Sequence, residues 1–166
     1  MGVCKESLKR RTIMTDRELN IALREMARAN GLCDEWYAAW GDDDSIDLCL
    51  ERYIRGFDFA VENDYPPLDF IRKNFNIEDL HRHNIYIDEE VDIEADKSGY
   101  YVFLGECKGT LTVDGFVAVT VYVKHTSSVN VEAFNGSKVF VSYYDKSEGE
   151  CGHDGWSKCK RYDRRK

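Results

Sequence analysis

The sequence predicts an α+β protein: an N-terminal helical region followed by a short β-solenoid of ~10-residue strand-turn units. Three observations carry the prediction. Residues 13–84 hold helix start and stop signals around apolar stripes of helical period. From Ile85 onward, apolar residues keep to odd positions: Ile87, Val91, Ile93, Ala95, Tyr101, Phe103, Leu111, Val113, then the valines to Val141 and Tyr143. Finally, the alternating segments recur in tens, with Ser127, Ser137, Ser147 and Ser157 opening successive units. The chain divides into a basic tail 1–12, a helical domain 13–84, a β-solenoid 85–156 and a basic C-terminal tail 157–166.

The helices come first. Thr15-Asp16-Arg17-Glu18 is a capping box, in which Thr15 accepts from the Glu18 amide and Glu18 reaches back. Leu19, Ala22, Leu23 and Met26 form the stripe behind it, and Asn30-Gly31 stops the helix. In CDEWYAAW (33–40), helical spacing puts Trp36 and Trp40 on one face with Tyr37 beside them. A second long helix starts near Asp44 or Ser45, buries Leu50, Tyr53, Ile54, Phe57 and Val61, and ends between Asn63 and Pro67. Pro66-Pro67 opens a third helix with Phe70, Ile71 and Phe75 inside, and Asn76 caps a last turn running to about His83.

The repeating half poses a choice at Asn135-Gly136, a strong two-residue hairpin signal. Such a turn pairs 133 with 138 and 132 with 139, and paired residues share a face. Val129 and Val131 would then lie on one side and Val139 and Val141 on the other, so the apolar sets do not match. Asp114-Gly115 fails in the same way. A parallel solenoid keeps the phase, because equivalent positions stack on the next rung with their face unchanged. Turns of the DGF/NGS/DGW kind alternate with KHTS and DKS, which suggests two units, near twenty residues, per coil. An antiparallel β-meander with odd-length loops is the alternative architecture. The units from 147 and 157 replace valines by Gly149, Cys151, His153, Cys159 and Arg161, a polar last rung that caps the stack.

GLCDEWYAAW, YIRGFDFAVENDYPPLDFIRKNF and the decads with D/N/G/S turns resemble, over residues 14–160, uncharacterised proteins of Bacteroidetes bacteria and their mobile elements. In those, a small helical head precedes a short β-solenoid. The resemblance implies the architecture and transfers no activity and no site residue.

Charge and motifs narrow the function. The net charge of −8 conceals an acidic body: residues 1–12 sum to +3 and 157–166 to +5, leaving −16 on 13–156. A body of that sign argues against tight nucleic-acid binding, whose affinity comes largely from neutralising phosphates. No nucleophile elbow, phosphate-binding glycine loop or C-x-x-C occurs. The six cysteines are scattered and read as reduced thiols, and Cys151, His153 and Cys159 match no zinc spacing, so no metal or cofactor is expected. His81 and His83, two apart on a helical turn, do not share a face. Asp92 and Glu94 alternate with inward residues and read as a solvated face. With no membrane-length apolar run and no signal-like N-terminus, the chain reads as cytoplasmic.

The candidate partner-binding residues are Trp36, Tyr37 and Trp40 with the acidic run Asp42, Asp43 and Asp44. Core packing for the aromatics and helix capping for the carboxylates compete with that reading. The function expected first is a non-catalytic interaction or structural module whose partner is another protein or a second copy. An acidic decoy of a nucleic-acid-processing protein, such as an anti-defence protein, comes second, and a small enzyme with an unfamiliar site third.

Overall fold

A computed structural model describes residues 14–165. The basic tail 1–12, with Cys4, lies outside them. Six helices precede nine strands: α1 (Asp16–Ala29), α2 (Asp34–Ala39), α3 (Ile46–Arg55), α4 (Phe57–Glu62), α5 (Leu68–Asn74) and α6 (Ile77–Arg82), then β1 (Ile85–Ile87), β2 (Glu90–Ala95), β3 (Gly99–Leu104), β4 (Lys108–Asp114), β5 (Ala118–Val123), β6 (Ser128–Phe134), β7 (Lys138–Tyr143), β8 (Cys151–His153) and β9 (Lys158–Asp163).

The capping box of α1 forms, with the Thr15 amide donating to Glu18 Oε2 at 2.8 Å and the Glu18 amide donating to Thr15 Oγ1 at 3.3 Å. The long helix expected after Ser45 is two helices, broken at Gly56. The break lets α4 turn so that Phe57 stacks on Tyr122 at 4.1 Å between centroids.

All strand pairs are parallel, so the meander is overturned. Odd strands make a five-stranded sheet, β1-β3-β5-β7-β9, and even strands a four-stranded one, β2-β4-β6-β8. Each coil gives one strand to each sheet. Val119 pairs with Val139 and Leu111 with Val131, a twenty-residue coil. Inward side chains stack in columns such as Leu111–Val131–Cys151 and Tyr101–Val121–Val141–Arg161. Most are fully buried, each stabilising by about 1.5–3 kcal/mol relative to exposure.

The first coil is shorter. Ile85 pairs with Val102 and Glu90 with Lys108, offsets of 17 and 18. An odd offset reverses the face, so the expectation that odd residues point inward from Ile85 fails at β1. Tyr86 enters the solenoid core, stacked 5.4 Å from Phe103, while Ile85 packs against the helices with Val102 and Leu104. Asp88, with φ 55°, makes the short corner, and its carboxylate accepts two bonds from Arg72 of α5 at 2.6 and 2.8 Å.

The helical head covers part of the outer face of the five-stranded sheet. Leu50, Phe57, Ile71 and Leu80 join Val102, Leu104 and Tyr144 in one cluster. Lys124, 7% exposed, reaches Asp64 of the head at 2.6 Å. The last strand, β9, pairs with β7 through Asp163, so most of the expected C-terminal tail is a rung of the sheet.

Corners are fastened by side chains. Ser127, Ser137, Ser147 and Ser157 are all buried. The Ser147 hydroxyl donates to Val123 O at 2.8 Å, on the rung below, and accepts from the Tyr144 amide at 3.0 Å. Ser157 accepts from the Gly136 amide at 3.0 Å. Gly109 is required as glycine: its φ is +141°, and a Cβ there would overlap the Val91 carbonyl oxygen.

Candidate functional site

Two regions of the surface have the makings of binding sites: a pocket in the head and the outer faces of the solenoid. The head is organised by one buried polar side chain, Asn20 on α1. Its Oδ1 accepts from Trp40 Nε1 at 2.8 Å and from Arg52 Nη1 at 3.2 Å, while its Nδ2 donates to Asp44 at 3.4 Å. These bonds tie α1, the end of α2 and α3 together.

Trp40 is therefore core, at 8% exposed with its indole N–H satisfied, so of its two sequence readings the burial favours core packing over a partner anchor. Trp36, one turn earlier, is 47% exposed. Tyr37 is held within the head. Its hydroxyl donates to Glu25 at 2.8 Å, which raises the phenol pKa, and Arg24 and Arg28 lie 4.2 and 5.1 Å from its ring centroid. Of the acidic run, Asp43 accepts from the Ser45 amide at 2.8 Å at the start of α3, and Asp44 accepts from Asn20. Asp42 is fully exposed, 4.0 Å from Arg24. The structure thus brings the aromatics together and gives two of the three aspartates structural bonds.

Trp36 and Trp40 share a pocket of about 440 Å³ with Ala27, Leu32, Ala39, Tyr53, Phe59 and Tyr65, and with Arg52 and Arg55. Sequence reasoning missed Arg52, Arg55 and Phe59 as its walls. Their only signal was a cationic pair three apart on the helix that carries Tyr53.

The solenoid presents two outer faces of opposite sign. On the four-stranded sheet the even residues point out: Glu90, Asp92 and Glu94 on β2, Lys108 and Asp114 on β4, Glu132 on β6, with Glu148 and Glu150 leading into β8. That is seven exposed carboxylates against one lysine. None of them has an ion-pair partner among the described residues. Register sets the spacing, since Glu94, Thr112 and Glu132 lie in line across three strands ~4.8 Å apart.

On the five-stranded sheet, the part beyond the helical head shows Lys138 and Phe140 on β7, Lys158, Lys160 and Tyr162 on β9, and Arg164 after it. Lys160 and Arg164 flank the Tyr162 ring at 5.0 and 5.3 Å from its centroid. Phe140 is 43% exposed. The strip carries four cations and no carboxylate on its outward positions.

The end of the solenoid is chemically distinct. Cys151 and Cys159, both half-buried, take inward positions on the successive strands β8 and β9 of the last coil. The neighbouring Cys159 thiol and the Arg161 guanidinium favour the Cys151 thiolate and lower its pKa, while the Cys159 thiol is pushed up. His153 turns to solvent, its Nδ1 2.8 Å from Asp154 O. Among the described residues no three His, Cys, Asp or Glu side chains gather as a metal site. Arg161 lies inward over the Tyr143 ring and pairs with Asp163 at 3.0 Å, placing charge where another rung would stack. No helix among the described residues is long and apolar enough to cross a membrane.

No protein family matches the chain, and no curated protein or solved structure does so either.

Proposed function

We propose that the protein is a non-catalytic interaction module that associates through the outer faces of its solenoid, the basic strip of one copy seating on the acidic face of the next. The observation that carries the reading is the segregation of charge: seven unpaired carboxylates on one sheet, four cations with Phe140 and Tyr162 on the other. Complementary faces steer encounter and fix register. Because the two faces differ, the contact is heterologous, and each added copy leaves one face of each sign free. Arg161 at the open end disfavours strand-to-strand stacking, so association runs sideways.

Sedimentation velocity tests this. The weight-average sedimentation coefficient should rise with concentration at ~0.05 M salt and fall back to the monomer value at ~0.5 M, where screening acts within a few Å. A concentration-independent monomer at low salt would refute self-association.

The acidic face favours a second reading, in which it occupies a basic surface on another protein, as a decoy of a nucleic-acid-processing protein would. A monomer that binds such a protein in a salt-sensitive way, through Glu132 and Glu150, would point there. In either reading the four cations belong to a chain of net charge −8, and tight binding to DNA or RNA at ~0.15 M salt is not expected.

A further inference from the structure

The pocket in the head lies apart from both solenoid faces and has a chemistry of its own. We propose that it binds a small amphipathic organic anion, with an apolar body against Trp36, Trp40 and Phe59 and a carboxylate at Arg55. At about 440 Å³ the pocket falls in the ~300–1,000 Å³ range of small-molecule sites. Its lining includes two arginines and neither aspartate nor glutamate, although the chain as a whole is acidic. An anion is thus the charged group the site accepts.

The two arginines have different parts. Arg52 is committed, donating to Asn20 Oδ1 at 3.2 Å with its guanidinium 5.3 Å from the Trp40 ring. It fixes the wall and adds positive potential. Arg55, one turn on and exposed, makes no hydrogen bond or ion pair among the described residues. It is the free fork for a carboxylate, a group that guanidinium matches in two parallel bonds. Tyr53 also lines the pocket, and its hydroxyl has no hydrogen-bond partner among the described residues. Tyr65, by contrast, is satisfied by Leu23 O at 2.9 Å. The ligand therefore meets apolar and aromatic walls with one uncommitted cation.

Trp36 and Trp40 report occupancy directly. In the full chain carrying Trp156→Phe, which removes the one tryptophan outside the pocket, decanoate below its micelle concentration should give a saturable change in tryptophan fluorescence. Arg55→Ala, checked for an unchanged circular dichroism spectrum, should weaken binding about tenfold, and decanol should bind weaker than decanoate by a similar factor. No saturable change up to ~1 mM decanoate, the weak limit of specific binding, would overturn the proposal. So would equal affinity for decanoate and decanol, or an affinity unmoved by Arg55→Ala. Phosphatidylglycerol vesicles separate a free ligand from a membrane: a response to vesicles with none to decanoate would also overturn it.

Discussion

Ser147 shows how little of the solenoid's fastening is visible to composition alone. Its hydroxyl, fully buried, bonds Val123 O, Tyr144 O and the Tyr144 amide at 2.8, 2.7 and 3.0 Å. Ser147→Ala removes those bonds while Val123 O keeps the Tyr144 amide and Tyr144 O keeps the Ser147 amide, so it should cost about 0.5–1.5 kcal/mol in urea unfolding. Ser128→Ala, on the outer face, should stay within about 0.5 kcal/mol. Cys151 gives a residue-scale test with a pH sign. The neighbouring Cys159 thiol favours its thiolate, so its alkylation by iodoacetamide, read peptide by peptide, should rise with pH through a midpoint below the ordinary thiol value of ~8.5. Cys159→Ala removes that thiol and should move the midpoint up. A midpoint unchanged in that variant would contradict the assigned cause. Trp40 was legible as a core candidate from its helical spacing, but the bond that seats it was not, because that bond comes from Asn20, a polar residue inside the stripe of α1. Periodicity counts such a residue as a gap.

At the scale of the element, phase was the legible quantity. Every rung after the first repeats at twenty residues, and the sequence shows it because one face per strand is apolar. The first coil hides its shift. Ile85 and Ile87 continue the odd apolar series for a different reason, since they face the helices instead of the solenoid interior. The run Tyr100-Tyr101-Val102-Phe103-Leu104 held the missed signal. It breaks the alternation because β3 is covered on both sides, by the core and by the head. The break at Gly56 was likewise hidden, as the apolar stripe runs on through it from Tyr53 to Val61. The face assignment itself can be tested on β6. Val131→Asp puts an unpaired carboxylate between Leu111 and Cys151 and should cost more than about 4 kcal/mol, abolishing the folding transition. Asn130→Asp, one residue away and facing out, keeps an acceptor for the Glu150 amide and should cost less than about 1 kcal/mol. Equal effects of the two would refute the register.

For the whole molecule, the fold converts a one-dimensional pattern into two surfaces. Outward positions of even strands gather carboxylates and those of the last odd strands gather lysines, so charges scattered along the chain become opposed faces. The net charge was readable in the sequence. The segregation follows once two decads per coil place alternate units on different sheets, but a single charge sum over residues 13–156 hides it. The head shields part of the five-stranded sheet and leaves the basic strip as its open remainder, while the polar last rung closes the end. The measurement that bears most directly on this account is a charge exchange between the faces. Glu132→Lys with Glu150→Lys makes one protein whose acidic face is reduced to five carboxylates against three lysines, and Lys158→Glu with Lys160→Glu makes another whose strip carries two cations against two carboxylates. Each alone should remain monomeric by sedimentation velocity at ~0.05 M salt. Mixed in equal amounts they should associate as pairs, because the intact basic strip of the first meets the intact acidic face of the second. Variants that associate as well as the parent on their own, or a mixture that stays monomeric when the parent does not, would contradict the account.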